Sequence, residues 1–201
     1  IKGVFSVTNP NFNNSDKSVN FNIQSSETNR LTDFGYKTNK SGFTIGTYFE
    51  YLDDFNLGLS TSNYYEKIET DSTASARQKS QAGNYWDSFI NLNFDYDKRN
   101  QKFETSEGFR SRYLIDLPII SKTNSLTNTL NYQYYTELYE NNISNFSIYL
   151  KAVDSISNDD VKLSERIFLP SNKLRGFERG KVGPKDGDDF IGGNYATAIN
   201  L

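Results

Sequence analysis

Alternation of apolar and polar residues dominates this chain. The segment 90–97 reads Ile-Asn-Leu-Asn-Phe-Asp-Tyr-Asp, and segments 19–24, 55–60 and 146–150 follow the same two-residue period. On a β-strand, this period places the apolar side chains on one face and the polar side chains on the other. No segment shows a convincing period of 3.6 residues, so the pattern predicts an all-β chain.

The alternation predicts about nine antiparallel strands, most of them about ten residues long, which suits a tilted strand that crosses a bilayer. Their approximate bounds are 1–10, 17–26, 42–52, 54–65, 86–97, 108–118, 124–137, 143–154 and 192–201. We therefore expect an antiparallel transmembrane β-barrel, with Phe21, Ile23, Leu92 and Phe94 on its lipid-facing side. A soluble two-sheet sandwich also alternates and is the alternative, although its strands are usually only about five or six residues long.

The predicted connections support a barrel. Short connections at 11–16, 53, 98–107 and 138–142 alternate with a second set at 27–41, 66–85, 119–123 and 155–191, three of which are long and polar. Outer-membrane barrels have short periplasmic turns opposite longer extracellular loops, and rings of aromatic residues at both interfaces. Aromatic residues also favour strands in general, but several lie near predicted strand ends. These are Tyr64, Tyr65, Tyr85, Trp86, Tyr134, Tyr135 and Tyr139.

The composition excludes most classes of catalytic site. The chain contains neither histidine nor cysteine, which excludes Ser-His-Asp catalysis, thiol nucleophiles and ordinary zinc sites. No pair of carboxylates stands out for acid–base chemistry. The net charge is −3 and the basic residues are scattered, so we expect no nucleic-acid partner. The mean hydropathy of −0.70 is compatible with a barrel because only every second residue of its strands meets lipid. We expect no enzyme activity, cofactor or metal.

The most specific signal lies near the end of the chain. Leu174-Arg175-Gly176-Phe177 is followed by Gly183-Pro184 and then by Gly192-Gly193-Asn194. In this order and spacing, the residues closely resemble the BamA family of outer-membrane protein assembly factors, which carries the bacterial surface antigen barrel domain. The resemblance implies that 155–191 is a long extracellular loop that folds back into the barrel lumen, and that Gly192-Gly193-Asn194 opens the next strand.

The chemistry of the residues at the tip of this loop agrees with the resemblance. The planar guanidinium of Arg175 suits bidentate pairing with a carboxylate. Gly176 allows a tight turn or a close approach to the wall, and Phe177 supplies an apolar anchor. In the family, acidic residues on the following strands receive the arginine, so we expect the partner of Arg175 to lie beyond Leu201. The alternatives are a solvated loop arginine, simple loop packing for the phenylalanine, and ordinary turn glycines.

The resemblance extends over essentially the whole chain. Asp97, Arg99, Phe103 and Gly108 resemble a periplasmic turn of the family, although an ion pair between Asp97 and Arg99 could simply close the turn. The match runs from about the fourth to the twelfth of sixteen strands. We therefore expect residues 1–201 to be an incomplete barrel domain, without the periplasmic domains and without the first and last strands.

The resemblance implies a function in folding and inserting β-barrel proteins into the bacterial outer membrane. The expected partners are unfolded outer-membrane proteins, accessory lipoproteins of the assembly complex and outer-membrane lipid. A two-partner secretion or translocation transporter of the same superfamily is the nearest alternative. A passive porin or adhesin barrel would have no reason to carry the loop motif, and a soluble binding module is a further alternative.

Overall fold

A computed structural model of the protein describes residues 1–140, 142–157, 159–178 and 180–201. Within these residues, nine strands form one antiparallel sheet in the order β1-β2-β3-β4-β5-β6-β7-β8-β11, and β9 and β10 form a separate hairpin. The strands are β1 (Lys2–Asn9), β2 (Ser18–Arg30), β3 (Tyr36–Leu52), β4 (Phe55–Thr70), β5 (Gly83–Asp97), β6 (Gly108–Ile120), β7 (Ser125–Tyr139), β8 (Asn142–Ser155), β9 (Lys185–Asp186), β10 (Asp189–Phe190) and β11 (Tyr195–Asn200). Every strand of the sheet pairs with its neighbour in the chain, as in a β-meander. The open sheet confirms the prediction of an incomplete antiparallel barrel.

The strand register divides the side chains into an apolar face and a polar face. Leu92 pairs with Leu59 on β4 and with Ile115 on β6, and Phe21 pairs with Ile45 on β3. Directly paired residues lie on the same side of a sheet, so these contacts build one continuous apolar face. Phe21, Ile23, Leu92 and Phe94, the four residues predicted to face lipid, all lie on it.

Several strands extend further than the alternation predicts. The predicted connections 27–41 and 66–85 are wrong in extent, because β2 and β3 leave only 31–35 between them, and β4 and β5 leave only 71–82. These extensions carry polar residues on both faces, so no apolar period marks them. Backbone pairing continues nevertheless, and Lys37 Nζ lies 3.1 Å from Glu27 Oε1 across the β2–β3 pair.

Two short helices lie in these connections, α1 (Leu31–Phe34) and α2 (Ala76–Ser80), and the sequence pattern gave no sign of either. Helix α2 begins with a capping box, in which the Ser75 hydroxyl accepts from Gln78 N and the Gln78 side chain accepts from Ser75 N. A third helical element, the 3-10 turn Phe12–Asn14, joins β1 to β2. None of the helices in the described ranges is long and apolar enough to cross a membrane.

The aromatic residues predicted to form interfacial rings divide between the two faces. Tyr65 and Trp86 pair on the apolar face, where both are about half exposed. Tyr64, Tyr85 and Tyr135 lie on the polar face instead, so the prediction is wrong for them. The reason is the two-residue period itself, because two adjacent aromatic residues on a strand point in opposite directions.

The turn between β5 and β6 contains the ion pair expected from the sequence. Arg99 Nε and Nη2 each donate to Asp97 at 2.7 Å, so the pair is bidentate and closes the turn. Gly108 has a φ of +98°, and a Cβ there would lie 2.1 Å from the Lys98 carbonyl oxygen. Phe103 is 86% exposed, so its ring is not packed within this turn. Gly108 and the ion pair therefore stabilise the turn together with hydrogen bonds between Asn100 and residues Ser106 and Glu107.

Replacing Gly108 by alanine should lower the free energy of unfolding of the complete protein by at least about 2 kcal/mol, because it adds backbone strain to a backbone clash. Gly3→Ala is the matched control, since a Cβ at Gly3 meets no atom within 4 Å. Urea unfolding in detergent micelles would measure both. Equal stability of the two variants would show that the turn relaxes around the added methyl group.

Candidate functional site

The long loop between β8 and β11, residues 156–194, lies against the polar face of the sheet. At its base, the Lys162 ammonium donates to Asp87 Oδ2 on β5 and lies 3.1 Å from Glu66 Oε2 on β4. Glu165 of the same loop contributes a third carboxylate oxygen at 3.3 Å. The side chains of Lys162, Glu66 and Asp87 are at most 1% exposed. We call Lys162 and these three carboxylates the loop anchor.

Hydroxyl groups add hydrogen bonds to two carboxylates of the loop anchor. Ser164 Oγ donates to Glu66 at 2.9 Å, and Ser121 Oγ donates to Asp87 Oδ1 at 2.8 Å. The ring of Tyr85 has its centroid 4.9 Å from Lys162 Nζ, a cation–π distance. A buried charge is tolerated only when it is paired and hydrogen-bonded, and Lys162, Glu66 and Asp87 meet that requirement. Glu165 Oε1 is paired with Lys162 but accepts no hydrogen bond from the described residues.

The pKa of Lys162 reflects two opposing effects. Burial disfavours the ammonium and lowers the pKa, but the three carboxylates of the loop anchor more than offset burial and raise the pKa above its usual value. Lys162 is therefore fully charged at neutral pH. The loop anchor is an electrostatic attachment of the loop to two adjacent strands of the wall.

Apolar contacts hold the loop on either side of the anchor. Leu163 packs with Phe34, Tyr36 and Ile191, all of which are at least 95% buried. This cluster connects the long loop to helix α1 and to the start of β3. On the other side of Lys162, Val161 and Ile167 pack against Val153, with Ala196 of β11 at their edge. The base of the loop is therefore packed against α1 and β3 on one side and against β8 and β11 on the other.

The glycines of the predicted motif tie the two ends of the loop together. Gly193 and Ile167 exchange two backbone hydrogen bonds of 2.8 and 2.9 Å. Gly192 has a φ of +72°, and a Cβ there would lie 3.0 Å from the Ile167 oxygen. The Asn194 oxygen accepts from Val153 N at 2.8 Å. The prediction that these residues open the next strand is wrong by one to three positions, since β11 begins at Tyr195 and the glycines brace the loop instead.

The tip of the loop carries the motif on which the sequence prediction rested. Lys173 Nζ lies 5.8 Å from the ring centroid of Tyr149 on the polar face of β8, so the chain approaching the tip follows that face. Arg175 is exposed and makes no hydrogen bond or ion pair with any residue that the structure describes. Gly176 has a φ of +82° with open space around it, and Phe177 is 61% exposed.

The remaining motif residues lie at the return of the loop. Gly183 has a φ of +136° and the Pro184 oxygen accepts from Ile191 N at 3.1 Å, so the pair turns the chain towards the β9–β10 hairpin. The structure thus places Leu174, Arg175, Gly176, Phe177, Gly183 and Pro184 in one loop, where Leu174 and Phe177 line the same small cavity. Their roles remain predictions.

A second buried cluster lies on the polar face near the β5–β6 turn. Asp95 is 2% exposed and accepts two hydrogen bonds from Arg110, at 2.9 and 2.6 Å. Arg112 Nη2 lies 3.2 Å from Asp95, and the Tyr48 hydroxyl donates to it at 3.3 Å. Asp95 therefore joins β3, β5 and β6 through one carboxylate. Sequence reasoning missed both this cluster and the loop anchor.

Comparison with known proteins agrees with the fold. The model of a family described as the Omp85 superfamily domain matches residues 2–200. The crystal structure of BamA from Haemophilus ducreyi lacking POTRA domains 1-3 is similar, with a TM-score of 0.81 and 19% sequence identity. That similarity covers 98% of this chain and 43% of the other, so the chain spans less than half of the length of the protein it matches. No curated protein sequence matches the chain.

Proposed function

The chain belongs to the Omp85 superfamily, and on that premise we propose that it is the barrel portion of an outer-membrane assembly factor, which folds and inserts β-barrel proteins into the bacterial outer membrane. In this proposal, the apolar face meets outer-membrane lipid and the polar face lines the lumen. The partners are unfolded outer-membrane proteins and accessory lipoproteins of the assembly complex. The function is not catalytic, since burial of apolar strands in lipid supplies the driving force for insertion.

One observation carries the proposal. The long loop is held on the polar face by the loop anchor, and Lys173 beside the tip faces Tyr149 of β8. The next residues are Leu174-Arg175-Gly176-Phe177, with the arginine unpaired among the described residues. A fixed loop base with a free cation at its tip suits a contact with an acidic group that lies elsewhere in the complete protein. A passive pore does not need a fixed loop with an unpaired arginine at its tip.

Replacement of Arg175 by alanine in the full-length protein tests the proposal. We expect the steady-state levels of other outer-membrane proteins to fall severalfold, while the variant itself is still produced. Arg175→Lys should also be defective, because a lysine cannot reproduce the bidentate geometry of a guanidinium. Lys79→Ala is the control, since Lys79 is an exposed cation on α2. Immunoblots of outer-membrane fractions would measure these levels.

The same experiment separates assembly from transport. If Arg175→Ala leaves other outer-membrane proteins at normal levels and instead blocks export of a secreted protein, the chain belongs to a transporter of the superfamily. Normal levels together with normal export would contradict a functional role for the loop tip.

A further inference from the structure

Two adjoining cavities lie between the long loop and the polar face of the sheet. Their volumes are about 340 and 400 Å³, and both are lined by Lys40, Lys151, Ser164 and Arg166. The first cavity is also lined by Arg30. Four cationic side chains from β2, β3, β8 and the loop therefore converge on one space. We call the two cavities together the basic cavity.

Three acidic residues also line the basic cavity. Glu66 and Glu165 belong to the loop anchor, in which three carboxylates surround the single cation Lys162. The Asp116 carboxylate accepts from Asn91 Nδ2 at 2.7 Å. Of the four cations, Arg166 forms an ion pair with Asp160 at 2.7 Å. Together the two linings hold four cations and three carboxylates, and the excess of positive charge lies in the first cavity, where Glu66 faces all four cations.

The other three cations lack a carboxylate within the part of the chain that the structure describes. Arg30 lies 5.0 Å from the rings of both Phe34 and Phe168, and Lys40 lies 4.2 Å from the ring of Tyr64. Lys151 has neither an ion pair nor a ring contact there. All three side chains are partly buried. Partial burial removes hydration from a cation and costs free energy that an anion would offset.

We propose that the basic cavity binds a small phosphate-bearing anion. Each cavity has the size of a small-molecule site, and the hydroxyl groups of Thr28 and Thr38 line the first one as neutral donors. Convergent lysines and arginines with hydroxyl donors suit a multiply charged oxyanion better than a single carboxylate. Because the cavity opens on the polar face, the ligand arrives from water and not from the lipid that meets the opposite face.

The test is calorimetric titration of pyrophosphate into the full-length protein in phosphatidylcholine nanodiscs. We expect saturable binding with one ligand per barrel. Lys40→Gln and Lys151→Gln should each weaken the affinity by about tenfold, the size of one charge-assisted hydrogen bond. Lys37→Gln is the matched control, since it removes a lysine from the same strand but on the opposite face, and it should bind normally.

Arginine replacements at Lys40 and Lys151 should retain binding, so that a folding defect cannot imitate the expected loss. In nanodiscs containing phosphatidic acid, unchanged binding of pyrophosphate would support a water-borne ligand, and competition would assign the same cavity to a lipid phosphate. The proposal is overturned if the protein shows no saturable binding of pyrophosphate. It is equally overturned if Lys40→Gln, Lys151→Gln and Lys37→Gln all bind alike.

Discussion

Replacing Lys162 by methionine should lower the free energy of unfolding of the complete barrel by about 3–5 kcal/mol, the range measured when one partner of a buried ion pair is removed. Methionine keeps the length of the side chain but leaves Glu66, Asp87 and Glu165 with no cation to neutralise them. The base of the long loop should then separate from β4 and β5. Urea unfolding would measure the stability, and limited proteolysis of the folded protein would detect the loosened loop.

Two further variants show whether charge is the cause. Lys122→Met is the matched control, because Lys122 also faces the Tyr85 ring, at 5.6 Å, but is exposed. It should cost less than about 0.5 kcal/mol, as most surface substitutions do. Adding Glu66→Gln, Asp87→Asn and Glu165→Gln to Lys162→Met removes the uncompensated charges and should recover most of the lost stability. Failure of this recovery would show that packing of the lysine stem, and not its charge, holds the loop.

The pH dependence follows from the direction of the pKa shift of Lys162. The pKa is raised in the folded protein above the usual lysine value of 10.5, so its stabilising contribution is fully present below that value and is lost only as the pH rises through the folded pKa. The difference in stability between the wild type and Lys162→Met should therefore be the same at pH 7 and pH 9. A difference that shrinks over this interval would mean that Lys162 loses its proton there.

The fold could be predicted from the sequence because each strand that contributes to the apolar face carries apolar residues at every second position. The ends of β2, β3 and β4 could not be predicted in the same way. Residues 27–30 and 36–41 carry no apolar alternation, and their strand structure depends on backbone hydrogen bonds to neighbouring strands. Pairing of this kind is a property of two segments together and is not visible in either one alone.

The loop anchor could not be predicted from the sequence for a related reason. Lys162 lies between Val161 and Leu163 with no motif around it, and its partner Asp87 is 75 positions away in the chain. Glu66 fell at the edge of a predicted connection, so its place on the polar face of a strand was not apparent. One signal was present, since a single lysine between two apolar residues of a polar loop indicates a buried cation that needs carboxylates. The motif around Arg175 was visible because it is local.

Replacing Asp95 by alanine should lower the free energy of unfolding by about 2–3 kcal/mol, because it leaves Arg110 and Arg112 without their shared, buried carboxylate. Asp54→Asn provides a close comparison, because asparagine removes the charge and, unlike alanine, tolerates the φ of +64° at this position. The Asp54–Lys98 and Asp95–Arg110 ion pairs have the same shortest distance of 2.6 Å between nitrogen and oxygen. The Asp54 side chain is 48% exposed, whereas the Asp95 side chain is 3% exposed. Exposed pairs contribute less than about 1 kcal/mol, so Asp54→Asn should be nearly neutral.

The comparison contrasts a buried carboxylate shared by several partners with an exposed carboxylate paired to one lysine, at the same pair distance. Asp95 also bridges three strands, so its loss should loosen β3, β5 and β6 together, whereas Asp54 closes only a turn. Urea unfolding of both variants, with Arg110→Met and the double variant completing a cycle, would give the coupling energy of the buried pair. A cost for Asp95→Ala no larger than that for Asp54→Asn would mean that water reaches the arginines on the polar face. In that case, the strands near the β5–β6 turn are held by backbone pairing and not by the carboxylate.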